Sequence, residues 1–217
     1  MVGTFLQLRV SPSAVEDDFR RANGAIGYAP TRQQWIQVPT SIGPQVVLAT
    51  ISDNTLVAPS SGIATTAAYS GVTLPSPVRV FQTTAAWSDG DNTGALGMIT
   101  NPHGLTKITD ITSGSLHVVI TPTKMDIGIY AGGLGVLRSV TFASPMLKDG
   151  TQYTNRYTVD EDTFSYRMWD GTVGSISDPL IGTYNGQFAT IEHFRTTLTG
   201  TLPIFTDMRA STIAENV

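Results

Sequence analysis

Cysteine is absent from the 217 residues, which excludes disulfides, a thiol nucleophile and any Cys-ligated metal. Charge is also scarce: Asp, Glu, Lys and Arg make up 14% of the chain, against about 25% in ordinary globular proteins. The formal net charge is −4, and no cluster of Lys and Arg occurs. The phosphate-neutralising surface that nucleic-acid binding requires is therefore missing. No apolar run approaches the roughly 20 residues of a membrane helix. The opening MVGTFLQLRVSPSAVEDD has no basic segment leading into a long apolar one. These absences point to a soluble chain without an export signal, with neither a nucleic-acid partner nor membrane insertion.

In place of charge the chain carries Thr, Ser, 21 Gly and 12 Pro. Thr favours strands, while frequent Gly and Pro punctuate them, so the composition points to an all-β protein. Short strand-like runs recur at Gln45–Ile51, Val78–Ala86, Ala95–Ile99, Leu116–Thr121, Met125–Tyr130, Leu137–Phe142, Thr151–Val159, Thr163–Trp169 and Phe188–Phe194. Each is bounded by turn residues, as in a sandwich or barrel. Only Ser13–Arg21 has a helical flavour. In Thr163–Trp169, Phe164, Tyr166 and Met168 share one face, with Arg167 and Trp169 on the other. Asp149-Gly150 and Asp170-Gly171 read as tight turns, and residues 160–162 as an acidic one. The expected organisation is an N-terminal arm (1–16), one β domain (17–198), sandwich or barrel, and a C-terminal arm (199–217). The last arm carries Leu202, Ile204, Phe205 and Met208, so it either packs back on its own domain or inserts into a partner.

Catalytic patterns are missing. A retaining glycosidase needs two carboxyl groups about 5–5.5 Å apart, and Asp160 and Asp162 have suitable spacing but fall in the acidic turn. The Glu-x-Asp-x-x-Glu strand motif of laminarinase-like glycosidases does not occur, nor does a Gly-x-Ser-x-Gly elbow or a phosphate-cradling loop. His103, His117 and His193 lack metal-ligand spacing and read as structural. WSDGDNTG (87–94) offers half of a calcium loop through Asp89, Asp91 and Thr93, but its twelfth position is Thr100 rather than Glu. No enzyme activity, cofactor or other metal is expected. What remains is surface for contact: Trp87, Tyr130, Arg167 and Trp169 are the candidate glycan-binding or interface residues. For Trp35, Trp87 and Trp169 the reading as core or subunit-interface plugs is the preferred one.

Two stretches carry a family resemblance. DDFRRANGAIGYAPTRQQW presents Asp17, Phe19, Arg21, Ala22, Asn23, Gly24, Ile26, Gly27 and Trp35 in the pattern D-x-F-x-R-A-D/N-G-x-L/I-G…W. It resembles the opening of concanavalin A-like (laminin G-like) jelly-roll domains in actinobacteriophage minor tail proteins. LKDGTQYTNRYTVDEDTFSYRMWDGTV…YNGQFATIEHF is similar to the same family's closing hairpin and last core strand. The resemblance covers about half the chain. It implies a two-sheet antiparallel jelly roll and a virion structural protein of a siphophage tail or tail tip, assembled in the host cytoplasm. It further implies a homo-oligomer, often a trimer, that contacts other tail proteins and host cell-envelope glycan without catalysis. A stand-alone carbohydrate-binding module is the alternative, and a polysaccharide hydrolase or lyase a further one.

Overall fold

The computed structural model describes residues 13–38, 40–42, 45–58, 66–88, 94–195 and 203–215. The chain opens with six short strands: β1 (Ala14–Asp17), β2 (Ile36–Val38), β3 (Thr40–Ile42), β4 (Gln45–Val47), β5 (Thr50–Ser52) and β6 (Thr55–Val57). Longer strands follow: β7 (Thr66–Thr73), β8 (Val80–Ser88) and β9 (Gly94–Asn101), then helix α1 (Ile108–Thr112), β10 (Ser115–Ile120), β11 (Lys124–Tyr130) and β12 (Leu134–Thr141). The last part comprises β13 (Asp149–Asp160), β14 (Thr163–Arg167), β15 (Val173–Ser177), helix α2 (Pro179–Tyr184), β16 (Phe188–Arg195) and β17 (Ile204–Ser211).

Two antiparallel sheets face one another. The eight-stranded sheet runs β15-β14-β13-β8-β17-β6-β5, with β1 also pairing β17; the seven-stranded sheet runs β12-β11-β10-β9-β16-β7-β2. The chain is thus all-β, as the composition implied, and the two-sheet antiparallel sandwich that the family resemblance implied. Strand alternation builds the core between the sheets. Phe164, Tyr166 and Met168 point inward from the β14 region, and Leu116, Val118 and Ile120 from β10; all are buried. Burying a large apolar side chain stabilises a fold by about 1.5–3 kcal/mol, so these alternating rows decide which way each sheet faces.

The terminal arms are corrected. β1 pairs β17 in register from Ala14↔Ser211 to Asp17↔Met208, and β17 also pairs β8. Phe205, Met208 and Ala210 are fully buried in the common core. Residues 14–16 and 204–211 therefore belong to the sandwich. Their apolar side chains fill the inter-sheet space, and a strand between β8 and β6 satisfies its backbone on both edges. Residues 1–12 lie outside the described part.

Local chemistry explains further departures. Ser13–Arg21 is not helical: Ala14–Asp17 is β1, and Phe19 then takes φ 53°, a left-handed conformation that ends the strand. Asp149-Gly150 is not a hairpin turn. It lies inside β13, where the register against β8 shifts between Asp149 and Gln152, and Gly150 takes φ 88° at that bulge. Asp170-Gly171 does turn the chain between β14 and β15, closed by Met168 N–H to Thr172 O at 2.8 Å. The helices lie where no helical pattern was read. α2 is capped by Asp178, which accepts from Leu180 N–H at 2.9 Å, with Pro179 in its first turn.

Candidate functional site

Helix α1 and the loop before it cover one end of the seven-stranded sheet's outer face. Ile99 of β9 points outward and is buried with Leu105, Ile111, Tyr69 and Val38 in a cluster separate from the main core. This is why β9 is buried at every residue. The same face carries a row set by strand register, which starts in that cluster at Val38 and Tyr69 and continues through Glu192, Gly97, Val119 and Asp126.

Glu192 is the centre of this row. Its carboxylate is 5% exposed and lies 3.1 Å from His117 Nε2, itself 4% exposed. A buried charge requires partners, and two strands supply them. His117 comes from β10, two strands away from β16, and reaches Glu192 across β9. Gly97 makes that crossing possible: a Cβ there would stand 2.5 Å from Glu192 Oε2 and 2.8 Å from its Cβ. On the other side Tyr69 hydrogen-bonds the carboxylate. Burial, then the Glu192 charge and that hydrogen bond, push the Tyr69 phenol well above its usual range, and neighbouring Tyr130 adds to the effect. His117 Nδ1 is buried with no hydrogen-bond partner among the described residues. The His117 ring stands edge-on to Tyr130, 5.6 Å between centroids and 80° between planes.

Tyr130 is half-buried at the end of β11, so part of its ring reaches solvent over this fixed network. Four residues back on the same strand face, about 13 Å from Tyr130, Asp126 takes a hydrogen bond from Ser139 Oγ at 2.7 Å and pairs with Lys124 Nζ at 2.6 Å. Tyr130 thus stands over the buried His117–Glu192 pair, and Asp126, Lys124 and Ser139 form a separate polar patch farther along the same face.

The four candidate residues do not converge. Trp87 is corrected outright: it is 3% exposed, sits in the inter-sheet core and donates from Nε1 to Gly94 O at 3.3 Å. A sugar cannot stack on it from solvent. Trp169 is also displaced from its expected face. β14 ends at Arg167, so alternation lapses, and the indole folds edge-on against Tyr153 (4.7 Å) and Phe142 (6.4 Å) at the margin of the core. Arg167 remains exposed, paired in register with Arg156 on the eight-stranded sheet. Tyr130 alone reaches the seven-stranded sheet's outer face. Asp89, Asp91 and Thr93 lie outside the described residues. Asp160 ends β13 and pairs with Arg79, while Asp162 lies in the turn that follows.

Glu192 and Tyr69 were not singled out from the sequence. The available signal was Gly97 inside a strand, since a strand glycine marks close approach of another group. What approaches is visible only once β16 lies beside β9.

No protein-family model and no curated protein matches this sequence. Solved structures do match in fold. A Bacillus licheniformis β-glucanase aligns over 94% of this chain and 100% of its own, with TM-score 0.61 and 8% identity. A glycoside hydrolase family 16 endo-glucanase from Bacteroides ovatus aligns over 90% and 98%, with TM-score 0.59 and 10% identity. The CBM2 module of the evolved Dit of Lactobacillus casei BL23 phage J-1 aligns over 94% and 98%, with TM-score 0.59 and 11% identity. The chain accordingly has the concanavalin A-like jelly-roll fold that these hydrolases and binding modules share.

Proposed function

We propose that this chain is a carbohydrate-binding β-sandwich of a phage tail. In this reading it is a minor tail or tail-tip component that contacts neighbouring tail proteins and host-surface glycan without cleaving the glycan. The observation that carries it is the half-buried Tyr130 over the His117–Glu192–Tyr69 network, with the polar groups of Asp126 and Ser139 about 13 Å farther along β11, within reach of a neighbouring sugar unit. A sugar ring needs an aromatic face for its C–H side and fixed polar groups for its hydroxyls. The likeness to a module of a phage Dit supports the tail assignment, as do the two family-like stretches.

Hydrolysis fits this face less well. Glycosidic cleavage uses two carboxyl groups roughly 5–9.5 Å apart. Glu192 and Asp126 are separated by β9 and β10, three strand spacings or about 14 Å. Glu192 is also closed off between His117 and Tyr69.

Cosedimentation with purified host cell envelopes tests the proposal. Wild-type protein is expected to be retained, and Tyr130→Ala to lose about tenfold in apparent affinity, the loss of roughly one stacking contact. Thermal melting of the variant establishes that it is folded. Equal retention of the folded variant would remove Tyr130 from the site, and release of soluble sugar from the envelopes would overturn the non-catalytic reading.

A further inference from the structure

The outer face of the other sheet carries a groove of about 770 Å³, within the roughly 300–1,000 Å³ of small-molecule sites. Its floor crosses three adjacent strands. Thr154 of β13 and Thr84 of β8 are register partners with hydroxyls 2.9 Å apart. On β17 the register against β8 shifts between Phe205 and Asp207, and the Thr206 hydroxyl donates to Thr84 O at 3.3 Å. Gln152 extends this polar floor along β13. The result is a strip of hydroxyl and amide groups where an outer sheet face would otherwise be open.

Turns raise one wall. Asp53 and Asn54, between β5 and β6, both take positive φ (50° and 61°), and Asp53 N–H donates to Asn23 Oδ1 at 2.9 Å. That contact ties this wall to the Asn23-Gly24 turn of the opening motif. Asp18 and Arg20, just after β1, line the groove on the same side, because β1 and β6 both pair the edge of β17 away from β8. Arg20 Nε makes a loose 3.7 Å contact with Asp18 Oδ2, and the groove sets the carboxylates of Asp18, Asp53 and Asp207 against this single guanidinium. The carboxylates of Asp53 and Asp207 have no hydrogen-bond or ion-pair partner among the described residues. Burial pushes the half-buried Asp207 carboxyl up, and the negative charges of Asp18, Glu16 and Asp17 add to this. The groove therefore combines uncompensated negative charge with a floor of fixed hydroxyls and amides. Among the described residues no group of three His, Asp or Glu side chains could hold a metal ion; the arrangement suits an extended organic cation.

We infer that this groove binds an oligosaccharide bearing free amino groups. The sugar ammonium pairs with Asp207, and the ring hydroxyls bond to Thr84, Thr154 and Gln152. An N-acetylated sugar presents no charge to Asp207, and a simple polyamine leaves the hydroxyl floor unsatisfied. The site lies on the opposite sheet from Tyr130, so it stands or falls separately from the envelope-binding proposal.

Isothermal titration calorimetry at pH 7 tests it with three probes: a glucosamine tetramer, the N-acetylglucosamine tetramer and spermidine. The glucosamine tetramer is expected to bind, with the other two at least about tenfold weaker. Asp207→Asn is expected to weaken it about tenfold, the loss of one charge-assisted hydrogen bond. Glu161→Gln, in the exposed turn after β13, removes the same unit of charge elsewhere and is expected to leave affinity unchanged. No binding of the glucosamine tetramer overturns the inference. So does equal binding of the acetylated tetramer or of spermidine, or an equal loss in Glu161→Gln, which would reduce the effect to net charge.

Discussion

The Trp35 indole N–H donates to the buried carboxylate of Asp17 at 2.6 Å, across 18 residues of chain. Arg21 donates to both Asp17 oxygens, at 2.9 and 2.8 Å, and Phe19 N–H adds a bond at 2.7 Å. The Phe19 and Trp35 rings pack 5.6 Å apart over this centre. The opening motif is thus one structural unit. Its Asp collects the donors of a tight turn, its Arg neutralises the Asp, and its Trp closes the loop that carries Gly24 and Gly27. These glycines take φ of 136° and 66°, a region that other residues enter only at a cost.

Asp17→Ala is expected to destabilise the domain by about 3–5 kcal/mol, because it leaves a part-buried guanidinium and an indole N–H without an acceptor. Trp35→Phe keeps the packing and removes one donor, so its expected cost is smaller, about 1–2 kcal/mol. Urea unfolding of both variants checks the order; equal losses would mean that packing, not the carboxylate, holds the motif.

Gly97→Ala is expected to cost about 1–3 kcal/mol, as overpacking usually does, because the new methyl meets Glu192. It should also part Glu192 from His117. The His117 ring signals in an NMR spectrum are expected to shift in this variant, whereas Gly133→Ala, with open space around its Cβ, should leave them in place.

His193 faces the core from β16, donating from Nε2 to Leu56 O at 3.2 Å with its ring edge-on to Phe205. Burial pushes its pKa down to about 4, outweighing the upward pull of the Leu56 carbonyl and Glu192. Between about 4 and the usual 6.5, the unfolded chain takes up a proton that the folded one refuses. Its contribution to stability is complete above about pH 6.5 and declines as pH falls towards 4, by roughly 3 kcal/mol in all. Unfolding free energies at pH 7.5 and 4.5 should show that decline, and the His193 ring should remain neutral by NMR at pH 5.5. A ring protonated at that pH would refute the assignment.

Asp207 works in the opposite sense. Its folded-state carboxyl is raised by burial and by Asp18, Glu16 and Asp17, so the native state holds the proton more tightly and the ionised form costs stability at neutral pH. Asp207→Asn is expected to raise Tm at pH 7, with the gain shrinking as the solution is acidified through the carboxylate range. Calorimetric scans at pH 7 and 3.5 would show it. A lower Tm at pH 7 would mean that the carboxylate is stabilised by its surroundings.

Most strands were legible because alternation and turn residues are local properties. β8 to β14 and β16 appear in the sequence within a few residues of their observed ends. β7 was missed because it lies beside Pro- and Ser-rich sequence and its Ala67, Ala68 and Gly71 give little contrast between faces; its place between β16 and β2 is a property of the sheet. β17 was read as a tail because its apolar residues could have packed in cis or in trans, and only the vacant position between β8 and β6 decided it. Trp87 has two readings in the sequence for a related reason: a tryptophan beside a polar loop can face solvent or the core, and only the opposite sheet selects the core.

The amino-acid order alone determined the all-β class and the inward faces of β10 and β14, because each follows from composition and from neighbours one or two positions apart. Tertiary structure decided everything that joins distant strands. Glu192 meets His117 because β16, β9 and β10 lie side by side and Gly97 leaves room between them. The groove under Asp207 exists because β13, β8 and β17 align their threonines across some 120 residues of chain. Contacts of that range depend on strand order and register, which no local pattern encodes.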